Sequence, residues 1–290
     1  MRKIIILAIS TILIISCKNQ SLMKPDKYGF LQIDDSKIYY ESYGQGEPII
    51  FIHAGVTDSR MWKYQINDLS QNFNVILFDQ RGFGKSSTPT KNYNPIQDIL
   101  TLMDSCQIKN ANIVGISLGA LQAIDLAIEY PERVKTLIIS GASFPDWQLF
   151  NDILNKHIEF TQYVIENGPD SAVNRMLTDP FWRESIPNEK YKDSRKLFEQ
   201  ILRENKNSFT VNWQLRELPV GLADRLGQVN CPVLIFKPEN EMESIKPIFD
   251  TIVNKVANIK VAEIANTSHL LNMEKPDEFN NAIINFLMDK

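Results

Sequence analysis

The chain has 290 residues, 43% of them hydrophobic, and a formal net charge of −4 from 31 basic and 35 acidic side chains. That length suits one large domain, with room for an inserted subdomain. The mixed-sign charge without a basic run leaves no electrostatic footprint for a nucleic-acid partner, and three scattered histidines with no close cysteine pair do not make a zinc site.

The chain opens with a basic Met1-Arg2-Lys3 followed by an almost unbroken apolar run over 4–15, then Ser16-Cys17. Twelve residues are too few to cross a bilayer as a helix, which takes about 20, but they fit the apolar region of a secretory signal peptide. Ile14-Ile15-Ser16-Cys17 resembles the lipobox of bacterial lipoproteins, with Ile where Leu is more usual. The resemblance implies cleavage before Cys17, acylation of its thiol, and anchoring in the cell envelope by two or three acyl chains. Residues 1–16 are thus read as signal peptide and 17–27 as a polar tether. Cys106 and Cys231 remain, and nothing in the sequence pairs them, so both are read as buried thiols.

Strand-like runs over 28–33 and 38–43 flank an Asp34-Asp35-Ser36 turn. After the Gly44–Pro48 break, 49–52 is continuously apolar, as in a strand buried on both faces of a parallel sheet. Alternation follows: helix 61–69, strand 75–78, helix 95–106, strand 112–114, helix 118–129 and strand 134–139. It resumes with strand 233–236, helix 244–256, strand 260–264 and helix 276–288. This predicts an α/β fold with a mostly parallel sheet and helices on both faces. The interval 146–219 has only helical patterns broken by polar joints, too long for a simple connection, and reads as a helical insertion. The core is then 28–145 with 220–290.

Within this frame, Gly115-Ile116-Ser117-Leu118-Gly119 lies between a strand and a helix. Strand, tight turn and helix are the context of a nucleophile elbow, where the serine takes a strained backbone conformation and glycines admit the close strand and helix. A nucleophilic serine needs a general base. The last hundred residues hold one histidine, His269, on a loop after the last strand, at the carboxyl edge where catalytic groups of open α/β sheets gather.

His53-Ala54-Gly55, Asp79-Gln80-Arg81-Gly82-Phe83-Gly84-Lys85-Ser86, the elbow, Tyr130-Pro131-Glu132-Arg133-Val134 and Ser268-His269 with Glu274-Lys275-Pro276 together resemble the α/β-hydrolase superfamily. The likeness is to its small esterase and enol-lactone-hydrolase-like members with a helical cap, and it extends from Tyr28 to the C-terminus. It implies an acid that orients His269. Glu241 stands at the family's acid position, with Pro238 in place of the usual Gly, and Asp146 is the alternative, after the strand at 134–139. It also implies an oxyanion hole from the backbone amides of Gly55 and Leu118, a bracing role for His53, and a lid formed by 146–219. The implied activity is cofactor-free and metal-free cleavage of a small ester or lactone through an acyl-enzyme. The same triad also serves acyltransferases and perhydrolases, and a lipid-anchored binding protein that keeps the fold without turnover is the non-enzymatic alternative.

Overall fold

The computed structural model describes residues 23–289. The apolar leader and Cys17 lie outside the described residues. Two strands, β1 (Lys27–Ile33) and β2 (Ser36–Tyr43), form an antiparallel hairpin. Then come β3 (Glu47–Ile52), α1 (Lys63–Leu69), β4 (Phe73–Phe78), α2 (Pro95–Ser105), β5 (Ala111–Ile116), α3 (Leu118–Glu129) and β6 (Val134–Ser140). A helical stretch follows, containing α4 (Gln148–Asn167), α5 (Pro169–Thr178), α6 (Lys192–Glu204) and α7 (Leu222–Arg225) with short 3-10 turns between them. The chain closes with β7 (Val233–Pro238), α8 (Lys246–Lys255), β8 (Ile259–Ile264), α9 (Leu271–Glu274) and α10 (Pro276–Met288).

Among the described residues the strands make one eight-stranded sheet in the order β1-β2-β4-β3-β5-β6-β7-β8. β2 pairs antiparallel with β4, and every pair from β4 to β8 is parallel. Side chains alternate across the sheet with a period of two, which divides the core into two layers. Ile50, Ile52, Ile113, Leu137 and Ile235 face one layer with Ile99 of α2, Leu121 of α3 and Ile248 of α8. Ile49, Phe51, Val114, Ile138 and Phe236 face the other with Ile66 of α1 and Ile283 of α10. β3 and β5 are covered on both sides, which explains the apolar runs at 49–52 and 113–116 within them.

The observed elements match the predicted ones to within a few residues at their ends. The strand expected over 112–114 runs from Ala111 to Ile116, because Gly115 and Ile116 remain in register with β6 up to the turn. The helix expected from 244 starts at Lys246, since Met242 to Ile245 form a turn closed by the Ile245 N–H on the Met242 carbonyl. Among the described residues Cys106 and Cys231 are not joined to each other, and both are half-buried, not fully buried as the sequence suggested. Cys106 caps the end of α2 and so stands at the rim of the core.

Candidate active site

β5 is a central strand, and the chain leaves it straight into α3. Ser117 occupies the junction with φ 58° and ψ −117°, a conformation in which a non-glycine residue is strained by about 1–3 kcal/mol. The turn is held from both sides: the Ser117 N–H donates to the Ser140 carbonyl at 2.9 Å, and its carbonyl accepts from Leu121 N–H at 3.1 Å. The two glycines have steric reasons. A Cβ on Gly115 would stand 2.3 Å from the Gly119 carbonyl oxygen, and one on Gly119 would stand 2.0 Å from the Ile52 carbonyl oxygen. Strand, turn and helix can approach this closely only without those side chains.

His269 and Glu241 arrive from the last two strands. Pro238, read as part of the acid turn, is the final residue of β7 and lies in register with Ile264. The turn beyond it carries three glutamates with separate fates. Glu243 is exposed and pairs with Lys246. Glu239 accepts from the Asn266 N–H at 2.5 Å, and Asn240 N–H donates to the Thr267 carbonyl at 2.9 Å. These bonds fasten the acid turn to the His269 loop. Glu241 turns inward, is 8% exposed, and its Oε1 lies 2.9 Å from His269 Nδ1. Burial disfavours the imidazolium, but the charge and hydrogen bond of Glu241 outweigh it and hold the His269 pKa above its ordinary value.

Asp146, the alternative acid, is not brought to His269. Its carboxylate is exposed and accepts from the Gly221 N–H at 2.9 Å, so it pins the end of the helical stretch to its beginning. The chain has by then turned away from the sheet edge at Gly141 and reached the start of α4.

Gly141 and Glu184 were not singled out in the sequence, and Glu274 was named there only within the Glu274-Lys275-Pro276 motif. Gly141 has φ 60°, and a Cβ there would meet His269 Cε1 at 2.4 Å and Nδ1 at 2.7 Å. The histidine ring therefore occupies the space that a side chain at 141 would fill. Glu274 is 4% exposed and holds the His269 loop to the helical stretch: it accepts from Ser268 N–H and from Asn188 N–H, each at 2.6 Å. The Glu184 carbonyl accepts from the His269 N–H at 3.0 Å. The positive φ of Gly141 could have been suspected from a Gly just after a buried strand, and the bond of Glu274 to Ser268 spans only six residues, whereas the Asn188–Glu274 and His269–Glu184 contacts are long-range and leave no local signal.

His53 braces the loop carrying Gly55, as the resemblance implied. Its Nε2 accepts from Gln80 N–H at 3.0 Å, which leaves the Nδ1–H to donate to the Ala54 carbonyl at 2.8 Å. Burial lowers its pKa to about 4, and with both ring nitrogens engaged within the loop none is left to take a proton from Ser117. Gln80 also donates to the His53 carbonyl at 2.7 Å and accepts from Gln122 and Arg216. Asp79 accepts the Ser59 and Lys85 N–H groups, and the Arg81 guanidinium clasps Asp98 in a buried two-point pair. The 79–86 segment is thus a turn organiser.

Gly55, Ser117, Leu118 and His269 all border one partly open cavity of about 100 Å³. Its remaining walls come largely from the helical stretch, including Phe150, His157, Phe160, Trp182 and Trp213. Cys17 falls outside the described residues, and no group of three or more His, Cys, Asp or Glu able to hold a metal occurs among the described ones.

A family profile for the alpha/beta hydrolase fold matches residues 47–171. The chain is 26% identical over 270 residues to 3-oxoadipate enol-lactonase 2 of Acinetobacter baylyi, covering 87% of this chain and 94% of that protein. It is 23% identical over 269 residues to a putative carbamate hydrolase of Azorhizobium caulinodans, covering 87% and 95%. A thermophilic esterase from Thermogutta terrifontis superposes with a TM-score of 0.77 at 22% identity, covering 91% of this chain and 98% of that one.

Proposed function

We propose that this chain, a hydrolase with the α/β-hydrolase fold, cleaves a carboxylic ester or lactone with Ser117, His269 and Glu241 as its catalytic triad. The observation that carries the reading is the convergence of a strained, half-buried Ser117 and a Glu241-bonded His269 on one cavity. In this reading His269 takes the Ser117 proton through Nε2, the nitrogen left over once Nδ1 faces Glu241. The Ser117 oxygen attacks the carbonyl carbon, and the resulting oxyanion is received by the Gly55 and Leu118 amides. The imidazolium then gives its proton to the leaving alcohol oxygen. Water, deprotonated by His269, releases the acid and restores the hydroxyl. The helical stretch over 146–219 serves as the lid, since it supplies most of the apolar wall above Ser117.

The test is covalent labelling with a fluorophosphonate, run beside hydrolysis of short activated esters. Wild type is expected to be labelled and active, and Ser117→Ala to be neither. An unlabelled, inactive wild type would refute the reading. Lipid anchoring at Cys17 in the bacterial envelope is a separate proposal, supported by the leader and the Ser16-Cys17 junction. The mass of the mature protein checks it: a chain beginning at acylated Cys17 is expected, and an unmodified Cys17 contradicts it.

A further inference from the structure

The cavity above Ser117 is notable for the charges its wall lacks. Among the described residues no Asp, Glu, Lys or Arg borders it. Two buried arginines of the core lie off this wall: Arg81 is paired with Asp98, while Arg216 bonds Gln80 and packs on the faces of Tyr93 and Trp213, its Nε and Nη2 buried without a partner.

The polar side chains of the wall offer little to an anion. Thr57 donates its hydroxyl to the Ala54 carbonyl at 2.8 Å, and the Ser185 hydroxyl is turned onto the Met242 sulfur at 3.0 Å. His157 Nε2 lies 3.1 Å from the Val211 carbonyl, and burial lowers the His157 pKa to about 4, so it brings no positive charge. The indole N–H groups of Trp182 and Trp213 are buried, though neither has a hydrogen-bond partner. Apart from Ser117, His269 and the Gly55 and Leu118 amides, which serve the reacting carbonyl, the Ser143 hydroxyl is then the side-chain donor left to face a ligand. The nearest fixed charge behind the catalytic histidine is the Glu241 carboxylate, which repels an anion.

We propose that the acyl group accepted by this pocket is short, apolar and uncharged, and that esters with a carboxylate on the acyl chain are excluded. The inference deepens the serine-hydrolase reading and rests on it for the bond cleaved, though not for the charge preference of the cavity. The acyl group stays on Ser117 through both chemical steps, so it is the part the walls must hold. A dry cavity of about 150 Å³ takes a benzene, so the present 100 Å³ accommodates about four or five carbons. A carboxylate at the far end of the acyl chain would shed its water and meet neither an Arg or Lys side chain nor a donor set, since His269 and the Gly55 and Leu118 amides are taken up at the reacting carbonyl.

The experiment compares 4-nitrophenyl 4-methylpentanoate with its near-isostere 4-nitrophenyl hemisuccinate. In parallel, NMR titration of the Ser117→Ala protein compares 4-methylpentanamide with succinamate, which reads the pocket without turnover. The neutral ester is expected to exceed the hemisuccinate in kcat/KM by about 10³-fold, the scale set by stranding an ion away from water. Only the neutral amide is expected to shift cavity resonances. Succinamate binding as tightly as the amide, or kcat/KM values within tenfold of each other, overturns the charge preference. A dodecanoate ester cleaved as fast as the 4-methylpentanoate overturns the size limit. If neither ester turns over but the amide alone binds, the charge preference stands and the serine-hydrolase reading fails.

Discussion

Gly141→Ala tests the catalytic geometry from a position that carries no functional group. The added Cβ would stand 2.4 Å from His269 Cε1, where ordinary contact begins at 3.4 Å, so the ring must retreat by about 1 Å. Backbone retreat is resisted, because the His269 N–H is tied to Glu184 and the neighbouring Ser268 to Glu274. Misplacement of a catalytic group by about 1 Å costs about 10²-fold in rate, or about 2.7 kcal/mol of transition-state stabilisation. The variant also pays for the left-handed backbone at 141, about 1–2 kcal/mol for an alanine. Gly221→Ala separates the two effects. Gly221 has φ 61°, yet nothing lies within 4 Å of its would-be Cβ. Steady-state kinetics on a short ester and thermal melting of both variants are the assay. Both variants are expected to melt a few degrees lower, and only Gly141→Ala to lose about 10²-fold in kcat/KM. Wild-type kcat/KM in folded Gly141→Ala would refute the placement of His269 against Gly141.

Glu241→Gln bears on the pH profile. His269 must be neutral to accept the serine proton, so kcat/KM falls as pH drops through its pKa. Glu241 raises that pKa, which puts the wild-type acid limb above the ordinary histidine value of 6.5. The Gln variant is expected to move the limb to lower pH while the plateau falls by about 10²–10⁴-fold; an unmoved limb would remove Glu241 from the triad. Asp146→Asn, by contrast, is expected to leave both limb and plateau unchanged in the same assay, because its carboxylate serves Gly221. Gly119→Ala forces a methyl onto the Ile52 carbonyl oxygen, with contact at 2.0 Å, and is expected to lower the denaturation free energy by about 3 kcal/mol. Asp98→Ala removes the two-point partner of buried Arg81 and leaves it the longer contacts to Asp34 and Asp35 at 3.5 and 3.4 Å, and urea titration should show a loss of about 3 kcal/mol.

Much of this site could be read from the chain because its chemistry is encoded locally. The elbow needs Gly115, Ser117 and Gly119 within five residues, and the close approach of strand and helix dictates each glycine. His269 was recognisable from its place after the last strand, and the strands themselves from apolar runs that the two core layers require. Whether Glu241 or Asp146 faces the histidine was not legible. Both follow a parallel strand, and the choice turns on where the loop after β7 packs against the loop after β8. Glu239 on Asn266 and Asn240 on Thr267 decide it through backbone contacts that leave no local sequence pattern. Gly141 belongs to the same class, since its need for hydrogen in place of a side chain arises from a ring 128 positions further along the chain. Local sterics and hydrophobic periodicity therefore determined the fold, the strained turn at Ser117 and the loop that carries His269. The acid, the space for the imidazole and the uncharged cavity wall were decided only by tertiary packing, because each depends on side chains that meet from separate strands and helices.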